Sequence, residues 1–341
     1  MKNSLLRLAV LGTLGMVSAP ALAAGSFVPL PASPTGSAYI NCYNDGRVIP
    51  PLAGPATTAL LARSNFGSLP LGGSSGTCEI TGLANDTTPP LTGYGLQVAS
   101  NTQPILNPSS TTIGSVTQRI WRKAASGSTP TMCILGTKVT LTNVLYDTTL
   151  FEMNDIAVGG YSSSGTVNVG YFSASSSPAP SPAYRAGRTF TSVQHRAYIY
   201  GGGTTAEKQN NGTGYLDLPT IGGLPTLNIN GINSPLLPNV IAPAASATEQ
   251  QAQINSNWVD FTTDAAAVDD DGGTNPLSSQ VYVEFPCNTD SATIINTLAP
   301  SGSTAGWRKS GALRLRRTAQ ENTTFAEIIL DGYAPPGATI P

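Results

Sequence analysis

Short runs of alternating apolar and polar residues recur along the chain, separated by glycine, proline and asparagine. In residues 138–144 (KVTLTNV) the apolar side chains occupy every second position, as in a strand with one buried face. Similar runs predict strands at residues 38–43, 77–80, 93–98, 166–172, 195–200, 280–285, 312–316 and 324–330. Many short strands with turn residues between them favour a sandwich or a barrel, and we expect a mostly β, antiparallel β-sandwich-like fold.

One short helix is predicted near residue 250. Ser246 and Glu249 have the capping-box spacing, in which each side chain satisfies a free backbone N–H group at a helix start. Ile254 and Trp258 then fall on one helical face, four residues apart. We expect a helix over residues 247–257 that covers one end of a sheet.

The first 23 residues have the three parts of a secretory signal peptide. Lys2 and Arg7 give a positive start, residues 8–17 form an apolar run, and Ala21-Leu22-Ala23 is a cleavage site of the small-x-small type. That run is shorter than the roughly 20 residues that span a bilayer, and no later segment reaches that length. We therefore expect an exported chain that begins at Ala24, lacks a transmembrane segment, and is secreted, periplasmic or displayed on a bacterial cell surface.

The chain has four cysteines, all beyond the predicted cleavage site. An even count in an exported protein predicts disulfide bonds, with three alternative pairings. Local closure favours Cys42–Cys78 and Cys133–Cys287. None of the four lies in a C-x-x-C motif, so a zinc ribbon or a thioredoxin-type redox site is not indicated.

A shift in composition divides the mature chain. Proline, threonine, serine and asparagine dominate residues 86–115, and we place a soft domain boundary within residues 100–117. The expected units are an N-terminal β unit over residues 24–110, with Cys42 and Cys78, and a larger β-sandwich domain over residues 111–341, with Cys133 and Cys287.

Charge is scarce, and this narrows the function classes. Charged residues make up 11% of the chain, against about 25% in an average protein. The formal net charge is −2, which lacks the basic field that nucleic-acid binding needs. Arg314, Arg316 and Arg317 form one basic patch with Trp307, Arg308 and Lys309. Alternation places Leu313 and Leu315 inside and predicts that Arg314 and Arg316 form the solvent face of a strand, with contact to an anionic polymer as the alternative.

The common catalytic motifs find little support. His195 is the only histidine, and it lies in a run that is typical of a plain strand. Residues 72–76 (GGSSG) match the G-x-S-x-G motif without the strand and helix that the motif needs on its two sides. Glycoside hydrolysis needs two carboxyl groups, and nothing in the sequence indicates which two of the available carboxylates would act together. We therefore assign no catalytic residue. Those carboxylates are Glu152, Asp155, Asp217 and Glu284.

Asp269, Asp270 and Asp271 form the densest acidic segment, with Asp264 and Asn275 nearby. Oxygen ligands on a glycine-rich loop suit Ca²⁺, so these three aspartates are the candidate ligands of a structural calcium ion. The alternative is a solvated, turn-forming loop, because the spacing departs from the EF-hand pattern.

Three functions remain open. We expect an exported, non-catalytic protein with a structural, adhesive or binding role, whose partner is another exported protein, a second copy of the chain or a glycan. One alternative is a secreted, carboxylate-dependent polysaccharide hydrolase. The other is a carbohydrate-binding module, which exposed tyrosines would mark. The candidates for such a platform are Tyr161, Tyr171, Tyr198 and Tyr200.

Overall fold

The computed structural model describes residues 27–33, 39–42, 78–183, 185–190, 255–268, 274–287, 298–299, 306–317 and 326–340. Within these ranges the chain forms strands and no helix. The strands are β1 (Val28–Leu30), β2 (Tyr39–Asn41), β3 (Gly95–Leu106), β4 (Thr112–Lys123), β5 (Met132–Leu141), β6 (Met153–Gly159), β7 (Val167–Phe172), β8 (Arg185–Gly187), β9 (Trp258–Ala265), β10 (Gln280–Pro286), β11 (Leu298–Ala299), β12 (Arg308–Arg317) and β13 (Ala326–Tyr333).

The strands assemble into two sheets. The first sheet has the order β1-β7-β10-β5-β4-β3. The second has the order β11-β12-β6-β9-β8-β2, and β13 pairs with β12. Every pairing is antiparallel except the short one between β11 and β12. The predicted mostly β, antiparallel fold is therefore confirmed.

One hydrophobic core lies between the two sheets. On β10 it takes Val281, Val283 and Phe285, and on β12 it takes Leu313 and Leu315, in each case every second residue. Because successive side chains of a strand point to opposite faces, the same alternation sends the intervening polar residues to the outer faces. The sheets thus form a sandwich with a shared apolar interior and two chemically distinct outer faces.

Two disulfide bonds cross-link the fold with the pairing predicted from the sequence. They join Cys42 to Cys78 and Cys133 to Cys287, across sequence separations of 36 and 154 residues. All four cysteines are buried. By loop-closure entropy the two bonds stabilise the folded state by about 4 and about 5 kcal/mol, respectively.

The predicted helix over residues 247–257 is not seen. Residues 247–254 lie outside the described ranges, residues 255–257 form a turn, and Trp258 begins β9. The side chain of Asn255 closes this turn by accepting a hydrogen bond from the Asn257 N–H group at 3.0 Å. Trp258 is held in the strand because its ring packs against Phe190 on the outer face of the second sheet, with 4.6 Å between ring centroids.

The division near residue 110 stays a prediction. Strands from both of its sides share the first sheet, where β3 pairs with β4 and β1 pairs with β7. The predicted signal peptide, residues 1–23, lies outside the described ranges. No helix long and apolar enough to cross a membrane occurs in the part of the chain that the structure describes.

Candidate functional site

The outer face of the second sheet buries a group of charged side chains, which we call the charged cluster: Asp155, Asp260, Arg314, Arg316 and Glu327. They come from four adjacent strands, β6, β9, β12 and β13. The Arg316 guanidinium lies between two carboxylates, with Nη1 3.3 Å from Asp260 Oδ2 and Nε 3.1 Å from Glu327 Oε2. Arg314 Nη1 contacts Glu327 Oε1 at 2.8 Å. The side chains of Arg316 and Asp260 are 0% exposed.

Strand alternation and register bring these groups together. On β12 the leucines point to the core and the arginines point outward, as predicted. The prediction that Arg314 and Arg316 face solvent is wrong, since both side chains are buried. The reason is that β12 lies inside its sheet, between β6 and β13, where each arginine meets a carboxylate. Arg316 also stacks over Phe190, 3.9 Å from the ring centroid.

Burial is the largest single cause acting on the pKa of both Asp260 and Arg316 in the charged cluster. Burial raises the pKa of Asp260 well above its usual range, the neighbouring Asp155 carboxyl raises it further, and Arg316 opposes both. Burial acts to lower the pKa of Arg316, but Glu327, Asp260 and Asp155 outweigh it, and the net shift is upward. Arg316 therefore stays charged, and the acid beside it resists ionisation.

On the outer face of the first sheet, the side-chain carboxyl group of Glu284 is buried. The Tyr94 hydroxyl donates a hydrogen bond to Glu284 Oε1, and Asn168 Nδ2 donates to Oε2 at 2.6 Å. Glu284 is 8% exposed. Burial and the hydrogen bond to Glu284 raise the pKa of Tyr94, which keeps this phenol protonated as a donor. We call these three residues the Glu284 network.

Residues 78–94 cover this outer face. Polar contacts fasten the segment at Asp86 and Thr87. Lys138 Nζ lies 2.6 Å from Asp86 Oδ2, Gln280 Nε2 donates to the Asp86 carbonyl at 3.0 Å, and Trp121 Nε1 donates to the Thr87 carbonyl at 3.3 Å. The segment and the sheet share an apolar cluster, whose buried members are Ile80 and Tyr94 of the segment and Trp121, Ile134, Phe172 and Tyr282 of the strands.

The structure separates the carboxylates proposed for hydrolysis. Asp155 and Glu284 lie on the outer faces of opposite sheets, with the shared core between them. Glu152 precedes β6 and accepts a hydrogen bond from Asn154 Nδ2 at 2.9 Å. Asp217 lies outside the described residues. Asp155 instead meets Asp260, a partner that sequence reasoning missed, although the alternation in residues 258–262 (WVDFT) was a usable strand signal.

The other candidates divide between buried and undescribed positions. Tyr161 and Tyr171 are both 0% exposed, so neither forms part of a surface platform for sugars. Tyr198, Tyr200, His195 and the GGSSG segment fall outside the described ranges, as do Asp269, Asp270 and Asp271.

Two positions next to the undescribed acidic segment are placed by the structure. Ala266 and Asn275, which lie on either side of that segment, pair with each other through backbone hydrogen bonds of 2.9 and 3.0 Å. Among the residues that the structure does describe, no group of three or more His, Cys, Asp or Glu side chains could hold a metal ion.

No protein-family model, curated protein or solved structure matches the chain. The fold itself defines a class, the disulfide-bonded antiparallel β-sandwich. Within that class, the geometry of the two outer faces is what bears on function.

Proposed function

We propose that this protein is an exported, non-catalytic β-sandwich that acts outside the cytoplasm as a structural, adhesive or binding component. The observation that carries the proposal is the burial and bonding of the carboxyl groups that a hydrolase would need. Of the four candidate carboxylates, Asp155 and Glu284 are buried and lie on opposite outer faces, and Glu284 is hydrogen-bonded to Asn168.

Hydrolysis of a glycosidic bond requires a different arrangement. Its two carboxyl groups flank one accessible bond and lie about 5–10 Å apart. Asp155 and Asp260 do lie together, but both are 0% exposed and one of them is ion-paired with Arg316. Glu284 receives its hydrogen bonds from a tyrosine and an asparagine that leave little of it accessible. These contacts favour a structural use of all three carboxyls.

Export is supported by the disulfide bonds and by the N-terminal sequence. Structural disulfides form and persist in oxidising compartments, and this chain has two, both buried. Residues 1–23 have the composition of a secretory signal. A surface that is poor in charge and rich in hydroxyl and amide groups suits an exterior protein.

Several surface turns are preformed, which suits a protein that displays binding surface. Asn85 Oδ1 accepts hydrogen bonds from the Thr87 and Thr88 N–H groups, at 2.9 and 3.1 Å. Asn107 Oδ1 likewise accepts from the Thr111 N–H group at 2.8 Å, while its Nδ2 donates to the Leu145 carbonyl at 3.0 Å. A turn ordered in advance loses less conformational entropy when a partner docks on it.

The test has two arms, export and activity. Expressed with residues 1–23 in a bacterial host, the protein should be recovered outside the cytoplasm, start at Ala24 by intact mass, and show no alkylated cysteine without reduction. The purified protein should turn over no member of a panel of polysaccharides and esters. A turnover that a folded Glu284→Gln or Asp155→Asn variant abolishes would refute the non-catalytic role.

Binding supplies the positive readout. The mature protein should bind a glycan, another exported protein or itself, measured on a glycan array, by pull-down from envelope extract and by sedimentation velocity. Asn107→Ala releases the surface turn near Leu145, and Asn85→Ala releases the turn at residues 85–88. If the partner binds at the turn near Leu145, Asn107→Ala should weaken binding more than Asn85→Ala. The reverse result would assign the contact to residues 85–88. Equal, unweakened binding by both variants would exclude these turns as the contact.

A further inference from the structure

β13 ends the second sheet: it pairs with β12 on one side, and no other strand of the described ranges pairs with it. Just past β13, the Ala334 N–H group donates to the Trp307 carbonyl at 2.8 Å, so the backbone groups of Ala334 face the β12 side. Successive residues of a strand direct their backbone groups to alternate sides. The N–H and C=O groups of the odd-numbered residues in 327–333 therefore point away from β12, across the edge of the sheet.

Two glutamine side chains of the first sheet satisfy one end of this edge. Gln103 Nε2, on β3, donates to the Asp331 carbonyl, and Gln118 Oε1, on β4, accepts a hydrogen bond from the Tyr333 N–H group at 3.0 Å. Nothing in the described part of the chain reaches the outward groups of Glu327 and Ile329 in this way. Each of these two residues thus offers one open N–H donor and one open C=O acceptor.

The other sheet edges are guarded against strand addition, whereas β13 is not. β1, β2 and β11 have only two or three residues each. β3 is long, but Pro104 supplies no N–H group, and its pairing with β4 shifts register at three places. β13 has eight residues and no proline. The charge of Glu327 does not guard it, because this carboxylate contacts Arg314 and Arg316, and the neighbouring Ile329 is 58% exposed.

A second copy of the chain complements this edge. Two antiparallel β13 strands related by a twofold axis through Ile328 would place Glu327 of each copy opposite Ile329 of the other. Every open N–H group then meets an open C=O group, and the two Ile329 side chains become diagonal neighbours on one face. No like charges lie opposite each other, and a formal net charge of −2 makes the repulsion between copies weak.

We infer that β13 is a docking edge at which two copies of the protein join their second sheets into one continuous antiparallel sheet. This pairing is one form of the self-association in the proposed function and rests on that function for its use, although its geometry needs only the folded sandwich. Because only part of β13 is open, the contact is small, and the dimer should be reversible and dependent on concentration.

Hydrogen exchange tests the edge without a variant. The amides of Glu327 and Ile329 should exchange rapidly in dilute protein and more slowly as a dimer appears in sedimentation velocity at higher concentration. The amides of Ile328 and Leu330 face β12 and should be protected at every concentration. A parent protein that stays monomeric, or a dimer in which Glu327 and Ile329 remain unprotected, would overturn the proposal.

A proline variant tests the same contact from the other direction. Ile329→Pro removes an outward N–H group and spares the pairing with β12, so the dissociation constant of the dimer should rise by about tenfold or more. If this variant does not fold, Ile329→Lys places a charge on the edge and should have the same effect. The matched control is Leu106→Lys, at a 42% exposed position on the guarded edge, which should leave the dimer unchanged. Equal weakening by the two lysine variants would refute docking at β13.

The pairing and the proposed function can fail separately. A parent that stays monomeric but binds a glycan or another exported protein overturns the pairing and keeps the proposed function. If that bound protein protects the amides of Glu327 and Ile329, the edge takes another exported protein and not a second copy. A dimer joined at β13 in a protein that is not exported supports the pairing and overturns the proposed function.

Discussion

The two outer faces of the sandwich bury carboxyl groups in different ways. On the first sheet, the Glu284 carboxyl group accepts hydrogen bonds from two neutral donors, the Tyr94 hydroxyl and the Asn168 amide. On the second sheet, Asp260 and Glu327 are met by the guanidinium of Arg316. Neutral donors satisfy a single carboxylate without importing a second buried ion, whereas ion pairing makes each partner depend on the other. The second face should therefore tolerate substitution less well than the first.

The largest effect is expected from Arg316→Met. This change keeps much of the apolar stem but leaves Asp260 without its guanidinium and Glu327 with that of Arg314 alone, and breaking a buried ion pair costs about 3–5 kcal/mol. Urea unfolding should report a loss of that size. Lys123→Met, at an exposed position at the end of β4, is the matched control and should change stability by less than about 0.5 kcal/mol. A loss below 1 kcal/mol in Arg316→Met would mean that the two faces do not differ as described.

An intermediate effect is expected from Glu284→Gln. The amide can still accept one hydrogen bond, but its NH₂ group then faces a donor, so the change should lower the free energy of unfolding by about 1–3 kcal/mol. Tyr94→Phe removes one of those donors and should cost about 1 kcal/mol alone. In the double variant the losses should be less than additive, because the residues share one contact. Strict additivity in the unfolding data would place Tyr94 and Glu284 outside a common network.

The smallest effect is expected on stability at acid pH, through Asp147 at the rim of the second sheet. Hydrogen bonds from Arg317 hold the pKa of Asp147 well below its usual range, although burial opposes them. Because the folded-state pKa is depressed, this contribution is present above about pH 4 and is lost as the pH falls below it. Asp147→Asn should flatten the acid limb of the stability profile between pH 4 and 2, measured by thermal unfolding. An unchanged acid limb would show that the 36% exposure of this side chain screens the pair.

Strand alternation predicted much of the fold, and its failures have physical causes. It placed Leu313 and Leu315 in the core but predicted Arg314 at the surface, because a period of two reports which face is apolar and not whether the other face meets water. A capping box and the i, i+4 pair of Ile254 and Trp258 predicted a helix over residues 247–257, whereas Trp258 begins β9. Most of the hairpin β3–β4 went unnoticed because its residues are largely polar.

The candidate site was harder to predict from the sequence than the fold. In β6 and in β9, apolar and polar residues alternate as expected for a strand. Whether Asp155 lies beside Asp260, however, depends on the register between the two strands. Register is set by packing over the whole sheet, and a shift of one residue would send either aspartate into the core. The contacts of Glu284 depend in the same way on where residues 78–94 cross the first sheet. The disulfide pairing was predictable because local closure limits the alternatives.

The order of strands in the first sheet determines when the chain can finish folding. β5 pairs with β10, and the disulfide beside that pairing joins residues 154 positions apart. β1, near the start of the described chain, can pair only after β7 has been made. The second sheet is complete only when β13, near the C-terminus, has paired with β12. Folds dominated by such distant contacts assemble slowly, since each pairing must first close a long loop. A chain that completes neither sheet until its last strands are available stays unfolded for longer, which would suit the export proposed above.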